Sequence, residues 1–130
     1  MILNIFTINN KFVDYMKKIT RKKHLEMRIQ SIPPHPKPKV ELEQYSTPSV
    51  IASDLLWNAL SLGDIENKDI LDLGCGCGIF SIGSMLLGAK SATGIDIDNE
   101  SLDLARRSAD DMGLYNINYI EGDVLDLEDE

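Results

Sequence analysis

Residues Asp69 to Phe80 read Asp-Ile-Leu-Asp-Leu-Gly-Cys-Gly-Cys-Gly-Ile-Phe, and this stretch decides the fold. Its apolar start, formed by Ile70, Leu71 and Leu73, predicts a short buried strand. The alternating glycines that follow predict a loop that opens a helix, since glycine adopts left-handed backbone conformations and has no Cβ to obstruct a ligand. The stretch therefore predicts a strand, a ligand-binding loop and a helix in succession.

The glycine loop does not have the pattern of a dinucleotide site. The dinucleotide fingerprint Gly-x-Gly-x-x-Gly, counted from Gly74, requires a glycine at the position of Ile79. Asp72, at the end of the strand, would repel a pyrophosphate but attract an ammonium or sulfonium group. The pattern favours a zwitterionic or cationic nucleoside, of which S-adenosylmethionine (SAM) is the common example. Asp-x-Gly-x-Gly-x-Gly also resembles the first motif of the class I methyltransferases, which have a Rossmann-like fold.

The composition indicates a single domain. The chain has 130 residues, of which 43% are hydrophobic, which is enough for a core. It has no apolar run near the roughly 18 residues of a membrane span and no signal-peptide pattern, so we predict a cytoplasmic protein without membrane contact. Cys75 and Cys77 are spaced unlike a disulfide or a zinc site. A metal site that also uses His24 and His35 is disfavoured, and we predict no metal.

The charge is distributed unevenly along the chain. Residues 1–40 contain nine basic and two acidic residues, a net charge of +7, whereas residues 41–130 contain four basic and nineteen acidic residues, a net charge of -15. A basic arm on an acidic body is typical of an arm that binds nucleic acid, although a solvated arm that balances the body's charge fits as well. We predict a basic arm with a proline-rich linker over 1–40, in which 1–15 are interpreted as an upstream extension, and a Rossmann-like domain over 41–130.

Two helices are predicted before the glycine loop. The first is expected over residues 19–32, with one basic face. Prolines in residues 33–38 then predict an extended linker, since each fixes its own φ and disfavours helix in the preceding residue. Thr47 as N-cap and Pro48 at the first helical position predict the start of the second helix. The apolar face of this helix is expected to comprise Val50, Ile51, Leu55, Leu56, Trp57 and Leu60.

Strands and helices are predicted to alternate after the loop. A helix over about 78–87, a strand over 92–95, a helix capped by Asp98 and a strand over 117–120 follow in order. This succession predicts an α/β fold with a parallel sheet of about three strands.

A carboxylate is predicted at the end of each strand, at Asp72, Asp96 and Asp123. Ligands of such sheets bind at the carboxyl ends of the strands. Asp96 follows Gly78 by the eighteen residues that suit a ribose-binding acid. Asp123 is positioned to accept a hydrogen bond from an adenine amine. Ile97 and Val124 are expected to lie on either side of the adenine base. A single acid in such a place is more often a cap, but three on successive strands favour ligand binding.

Gln44, Tyr45 and Thr47 form a second polar cluster. Taken alone, Tyr45 would be a packing residue and Thr47 a helix cap. The chain resembles a known family in the order of several short motifs. These are Leu-Glu-Gln-Tyr-x-Thr, Asp-Ile-Glu-Asn-Lys, Asp-Leu-Gly-Cys-Gly-Cys-Gly, Ser-Ile-Gly, Leu-Gly-Ala and Gly-Ile-Asp-Ile-Asp. The family comprises the small archaeal and eukaryotic methyltransferases that act on N6 of an adenosine in small-subunit ribosomal RNA.

The resemblance implies SAM as cofactor and ribosomal RNA as substrate. It places the Gln-Tyr-x-Thr element over the methionine end of SAM, and it implies RNA contacts by Lys17, Lys18, Arg21, Lys22, Lys23 and Arg28. Eukaryotic members also pair with a small zinc-binding activator protein by strand addition along the third strand. The candidate cofactor-binding residues are Gln44, Tyr45, Thr47, Asp72, Gly74, Cys75, Gly76, Gly78, Asp96, Ile97, Asp123 and Val124.

The catalytic motif of the family is expected beyond the end of this chain. Amino methyltransferases carry Asn-Pro-Pro-Phe or a variant after the fourth strand, whereas the last proline here is Pro48. No catalytic residue is therefore assigned. The alternative function is a non-catalytic SAM- or RNA-binding module that needs a partner chain for the missing half. A half sheet predicts an unpaired edge and an apolar face at the glycine strand.

Overall fold

The computed structural model describes residues 19–39 and 46–125, which form four helices and three strands. None of these helices has the length and hydrophobicity that a bilayer-spanning helix needs. The elements are α1 (Lys22–Gln30), α2 (Ser49–Ser61), β1 (Asp69–Leu73), α3 (Ile79–Leu86), β2 (Ser91–Asp96), α4 (Asn99–Asp111) and β3 (Ile117–Glu121).

The three strands form one parallel sheet in the order β1-β2-β3. Helix α3 connects β1 to β2, and α4 connects β2 to β3, so the chain repeats the strand-helix-strand unit. Asp72 pairs with Gly94, and Gly94 pairs with Tyr119, which brings the carboxyl ends of all three strands to one edge. The predicted α/β class is confirmed.

One face of the sheet packs against helices, whereas apolar residues of the other face are exposed. Ile70 and Tyr119 join the core on the helical face. Leu71 and Leu73 point the other way and are 59% and 47% exposed. The prediction that these two leucines are buried is wrong for the described residues, because β1 lies at the sheet edge and no described helix covers its outer face. Among the described residues, the outer edge of β1 pairs with no strand and its apolar face is exposed, as expected of a half sheet.

Helix α1 belongs to the same core as the sheet. Its Leu25 and Ile29 are fully buried and lie one helical turn apart, so they face the same side. A Cβ on Gly83 of α3 would overlap the side chain of Leu56 and would lie 3.6 Å from Ile29, so three helices meet closely at this glycine. The predicted boundary between residues 40 and 41 lies outside the described residues, and those on either side of it share one core.

Helix α2 differs from its prediction at its start and on its face. It begins at Ser49, with Pro48 at the N-cap and no side-chain cap, so the predicted cap by Thr47 is wrong. Ala52, Ser53 and Leu56 face the core, whereas the predicted Val50, Ile51 and Leu55 are exposed. Small residues face inward here because α3 approaches closely at its own glycine.

We expect that Leu25→Ala lowers the free energy of unfolding by about 2–5 kcal/mol, because the substitution removes a fully buried side chain from the core. Urea unfolding followed by circular dichroism measures the change. Met27→Ala, on the same helix at a position that is 61% exposed, is the matched control and should change stability by less than about 0.5 kcal/mol. Equal effects of the two substitutions would show that α1 is not part of the core.

Candidate functional site

The glycine loop between β1 and α3 is held to the end of β2. The peptide N–H groups of Gly74 and Cys75 both donate to the carbonyl oxygen of Ile95, at 2.7 and 3.0 Å. Gly74 and Gly76 have φ values of 69° and 54°, and a Cβ at either position would meet nothing within 4 Å. These two glycines therefore combine a left-handed backbone with open space beside it.

Gly78 is required for a different reason. Its φ is 91°, and a Cβ there would lie 2.6 Å from the hydroxyl oxygen of Tyr119. Gly94 of β2 likewise leaves room for the ring of Tyr119, which would lie 2.6 Å from an added Cβ. The Tyr119 hydroxyl is 2.9 Å from Ser81 Oγ, so this buried tyrosine has a hydrogen-bond partner. Burial raises the pKa of Tyr119 above its usual range.

Asp72 caps the helix that follows the loop. The N-cap residue of α3 is Gly78, which has no side chain, and the peptide N–H of Ser81 instead donates to Asp72 Oδ2 at 3.1 Å. Burial raises the pKa of Asp72 to about 6, and the hydrogen bonds from Ser81 oppose this rise. The nearby negative charge of Asp96 raises the pKa further. Asp72 thus lies beneath the loop as a partly desolvated acid.

Asp96 joins the glycine loop to the turn after β2. Its Oδ2 accepts the peptide N–H of Gly76 at 2.8 Å, and its Oδ1 accepts the peptide N–H of Asp98 at 2.9 Å. Asp98 occupies the predicted N-cap position of α4, but its carboxylate makes no cap bond to the helix backbone. It accepts instead from Ser101 Oγ at 2.9 Å. The carboxylate of Asp96 is therefore fixed at the edge of the sheet.

A cavity of about 570 Å³ opens at the carboxyl ends of the strands. Eight predicted site residues line it: Thr47, Gly74, Cys75, Gly76, Asp96, Ile97, Asp123 and Val124. Asp72 and Gly78 do not line it, since the Asp72 carboxylate caps α3 and Gly78 packs against Tyr119. Gln44 and Tyr45 lie outside the described residues. The strand-end acids thus converge on one edge, with Asp96 and Asp123 at the cavity.

The two cysteines of the loop are free thiols. Burial raises the pKa of Cys75 to about 12, and the charges of Asp72 and Asp96 add to the effect. Burial also raises the pKa of Cys77, and the nearby peptide N–H of His35 opposes this rise. No group of three potential ligands in residues 19–39 and 46–125 could hold a metal ion.

Sequence reasoning missed one wall of the cavity. Pro33, Pro34 and His35, which were interpreted as linker, line it together with Phe80. The proline pattern indicated only an extended backbone and gave no signal of where that backbone would lie. Half-buried Phe80, by contrast, follows the glycine loop directly and could have been expected at the site.

The cavity fits a nucleoside cofactor in size and chemistry. Its volume lies within the roughly 300–1,000 Å³ of small-molecule sites. Carboxylates of Asp96 and Asp123 accept hydrogen bonds and would repel a pyrophosphate, whereas Ile97, Phe80 and Val124 supply apolar surface for a base. These hydrogen-bond acceptors and apolar side chains therefore suit a neutral or cationic nucleoside.

The fold is of the Rossmann-like α/β class, with a cavity at the carboxyl ends of the parallel strands. The family model described as Ribosomal protein L11 methyltransferase (PrmA) matches residues 54–126, and the chain belongs to this family. The zebrafish (Danio rerio) rRNA N(6)-adenosine-methyltransferase METTL5 is 40% identical over 106 residues, which cover 81% of this chain and 51% of that protein. The predicted resemblance to rRNA adenosine methyltransferases is thereby confirmed.

Solved structures show the same fold. Protein PH1948 from Pyrococcus horikoshii aligns with a TM-score of 0.77 and 42% identity, over 83% of this chain and 54% of that one. An RNA methyltransferase from Salinibacter ruber in complex with S-adenosyl-L-homocysteine aligns with a TM-score of 0.54 and 26% identity, over 62% of this chain and 52% of that one. The chain spans about half the length of the curated relatives it matches, from 49% to 51%.

We expect ionisation of Asp72 to reduce stability. Its pKa is raised from 3.8 in the unfolded chain to about 6 in the folded one. The protonated carboxyl therefore contributes to the free energy of unfolding, and this contribution is fully present below pH 4 and is lost as pH rises through 6. The free energy of unfolding of Asp72→Asn minus that of wild type should therefore increase by up to about 3 kcal/mol from pH 4 to pH 7.

Urea unfolding at several pH values between 4 and 8 tests this expectation. Asp110→Asn, an exposed acid of α4, is the control and should show no comparable gain. A constant difference between wild type and Asp72→Asn across this range would contradict the proposed ionisation.

Proposed function

We propose that this chain is a SAM-dependent methyltransferase that binds the cofactor and transfers its methyl group to N6 of an adenosine in ribosomal RNA. The observation that carries the proposal is the cavity that the open glycine loop and the Asp96 carboxylate share. Membership of the PrmA family supports methyl transfer as the reaction. The name of the METTL5 relative supports an adenosine of ribosomal RNA as the substrate. A cytoplasmic location is part of the same proposal.

Asp96 and Asp123 are proposed to bind the nucleoside. Each Asp96 oxygen accepts one peptide N–H and keeps a second lone pair for a ribose hydroxyl. Asp123 Oδ1 accepts the peptide N–H of Leu125 at 3.0 Å, which directs its carboxylate at the cavity wall. From there it would accept a bond from the adenine amine, with Ile97 and Val124 on either side of the base.

The remaining candidates are proposed to act at the methionine end. SAM supplies an electrophilic methyl group on a sulfonium sulfur. Thr47 lines the cavity, and we assign Gln44 and Tyr45 to the same end on the basis of the Gln-Tyr-x-Thr pattern. Asp72 acts from beneath the loop, where its negative charge favours a cationic ligand and its bond to Ser81 holds the helix start.

Arg21 and the basic residues of α1 are proposed to contact RNA phosphates, together with Lys17 and Lys18, which lie outside the described residues. Arg21 is the N-cap residue of α1, and Arg28 lies in the last turn of this helix. Lys22 pairs with Asp54 at 2.6 Å, and this bond raises the pKa of Lys22. Lys23 pairs with Glu26 at 3.4 Å. The two arginines are therefore the stronger candidates for an RNA contact.

The alternative function is a non-catalytic SAM- or RNA-binding module that acts with a partner chain. The unpaired edge of β1 and the exposed Leu71 and Leu73 favour this alternative, because additional strands could pair there and cover the leucines. A chain that supplies the missing strands, or a small zinc-binding activator protein, is the partner we propose in that case.

We expect Gly76→Ala to weaken SAM binding at least about tenfold, because a Cβ beside the cavity would occupy space open to the ligand and would strain a left-handed residue. Isothermal titration calorimetry with SAM and with NAD measures the affinity. Gly113→Ala is a matched control, since Gly113 also has a left-handed φ, 69°, and open space but lies away from the cavity.

Both substitutions should reduce stability by roughly 1–2 kcal/mol, the cost of a side chain in the left-handed region. Only Gly76→Ala should change the affinity for SAM. Equal SAM affinities of the two variants, or tighter binding of NAD than of SAM by wild type, would refute the assignment of the cavity.

Transfer of a labelled methyl group from SAM to small-subunit ribosomal RNA distinguishes the two functions. The leading proposal expects N6-methyladenosine among the digested nucleosides, as identified by mass spectrometry. SAM binding without transfer, together with transfer restored by a partner chain, would favour the alternative. Failure to bind SAM would reject the leading proposal and the SAM-binding form of the alternative, and would leave only an RNA-binding module.

The contribution of α1 to RNA binding is tested by salt dependence. A double variant, Arg21→Ala with Arg28→Ala, should reduce the slope of log affinity against log salt by about 1–2, since each lost phosphate contact removes roughly 0.7–0.9. Arg107→Ala, an exposed arginine of α4, is the control and should leave the slope unchanged. An unchanged slope in the double variant would exclude these contacts.

A further inference from the structure

His35 is buried although the prolines around it are exposed. Its side chain is only 7% exposed, whereas Pro33, Pro34 and Pro36 are all at the surface. Prolines have no peptide N–H and cannot form the backbone hydrogen bonds that would hold this segment in a helix or sheet. The position of the segment must therefore depend on its other contacts, of which the inward-facing histidine is the most buried.

The imidazole of His35 is oriented by its own segment. The peptide N–H of Lys37 donates to His35 Nδ1 at 3.0 Å, so Nδ1 is the acceptor and Nε2 carries the proton of the neutral ring. Nε2 lies 3.2 Å from Asp98 Oδ2 and 3.3 Å from Glu100 Oε2, at the start of α4. Nε2 thus lies within ion-pair distance of two carboxylates, and neither contact has hydrogen-bond geometry.

Asp98 connects His35 to the glycine loop. Asp98 is 6% exposed, and a buried carboxylate is costly unless polar groups surround it. Ser101 Oγ lies 2.9 Å from it and Lys39 Nζ 3.6 Å, so residues 35 and 39 both hold the proline segment at this acid. The peptide N–H of Asp98 donates to Asp96, which in turn accepts from Gly76.

The proline segment and the glycine loop also touch directly. His35 and Cys77 both line the cavity, and the peptide N–H of His35 lies near enough to the Cys77 sulfur to oppose the rise in the pKa of Cys77. Pro33, Pro34 and His35 line the same cavity as Gly76 and Asp96. The cavity therefore has two walls, one from the sheet edge and one from the proline segment, which meet at Cys77 and Asp98.

We propose that His35 is a positioning residue for the nucleoside site, which holds residues 33–36 against the start of α4 so that they form the second wall of the cavity. This inference rests on the proposed function only for the identity of the ligand. It makes the segment before α2 a part of the binding site, and it assigns His35 no contact with the reacting atoms.

Cys77 reports the position of the segment without any ligand. In the full chain, His35→Ala should raise the rate of Cys77 modification by 5,5′-dithiobis(2-nitrobenzoic acid) at least about tenfold, because the segment no longer covers the thiol. The more deeply buried Cys75 should keep its wild-type rate, as resolved by mass spectrometry of the labelled peptides. Acceleration at both cysteines, with a lower midpoint of urea unfolding, would instead indicate general unfolding and would overturn the proposal.

Affinity for S-adenosyl-L-homocysteine, measured by calorimetry, tests the second wall. His35→Ala should weaken binding about tenfold or more, and His35→Gln should restore most of the affinity because its amide can donate to Asp98. His24→Ala, the other histidine of the chain, lies outside the cavity lining and should change neither Cys77 reactivity nor affinity.

The outcomes distinguish failure of the proposed function from failure of the positioning role of His35. If wild type does not bind S-adenosyl-L-homocysteine, the proposed function fails, and the rate at Cys77 alone decides the role of His35. An unchanged Cys77 rate in His35→Ala overturns the positioning role. A faster Cys77 rate with unchanged affinity shows that the segment is held by His35 but is not a wall of the site, which also overturns the proposal.

Discussion

The carboxylate of Asp96 is the interaction on which the site depends. Its two oxygens accept peptide N–H groups from the glycine loop and from the start of α4, two segments that come from different parts of the chain. Hydrogen bonds to an ionised acceptor are stronger than neutral ones, and here both are made to rigid backbone. The same acid therefore sets the shape of the cavity edge and remains available to a ligand through its unused lone pairs.

Tyr119 explains why the strands and the loop fit together. Its ring and hydroxyl occupy space that exists only because Gly78 and Gly94 lack side chains. The glycines of the motif thus divide into two kinds. Gly74 and Gly76 leave open space beside the cavity, while Gly78 admits a core side chain from the third strand. The glycine motif, which the sequence indicates as a ligand-binding loop, therefore also allows close packing between the loop and the sheet.

The spacing of apolar residues and glycines in the sequence was sufficient to predict the order of strands and helices, because this spacing depends on the local conformation of the chain. It also predicted the strand-end acids, since parallel strands bring their carboxyl ends to one edge. It was wrong for Leu71 and Leu73, because an apolar strand has the same composition whether or not a neighbouring layer covers it. The roles of Asp98 and His35 depend on contacts between distant segments, which local pattern cannot supply.

Burial of the loop cysteines has a consequence for the chemical durability of the protein. Peroxide and other oxidants attack the thiolate, and burial raises the pKa of Cys75 to about 12, which favours the unreactive thiol at neutral pH. Sulfenic acid formation at this position would introduce a polar group beside Tyr119 and Gly94, so its suppression preserves the packing. A buried thiol of this kind is less reactive toward oxidants than an exposed cysteine would be.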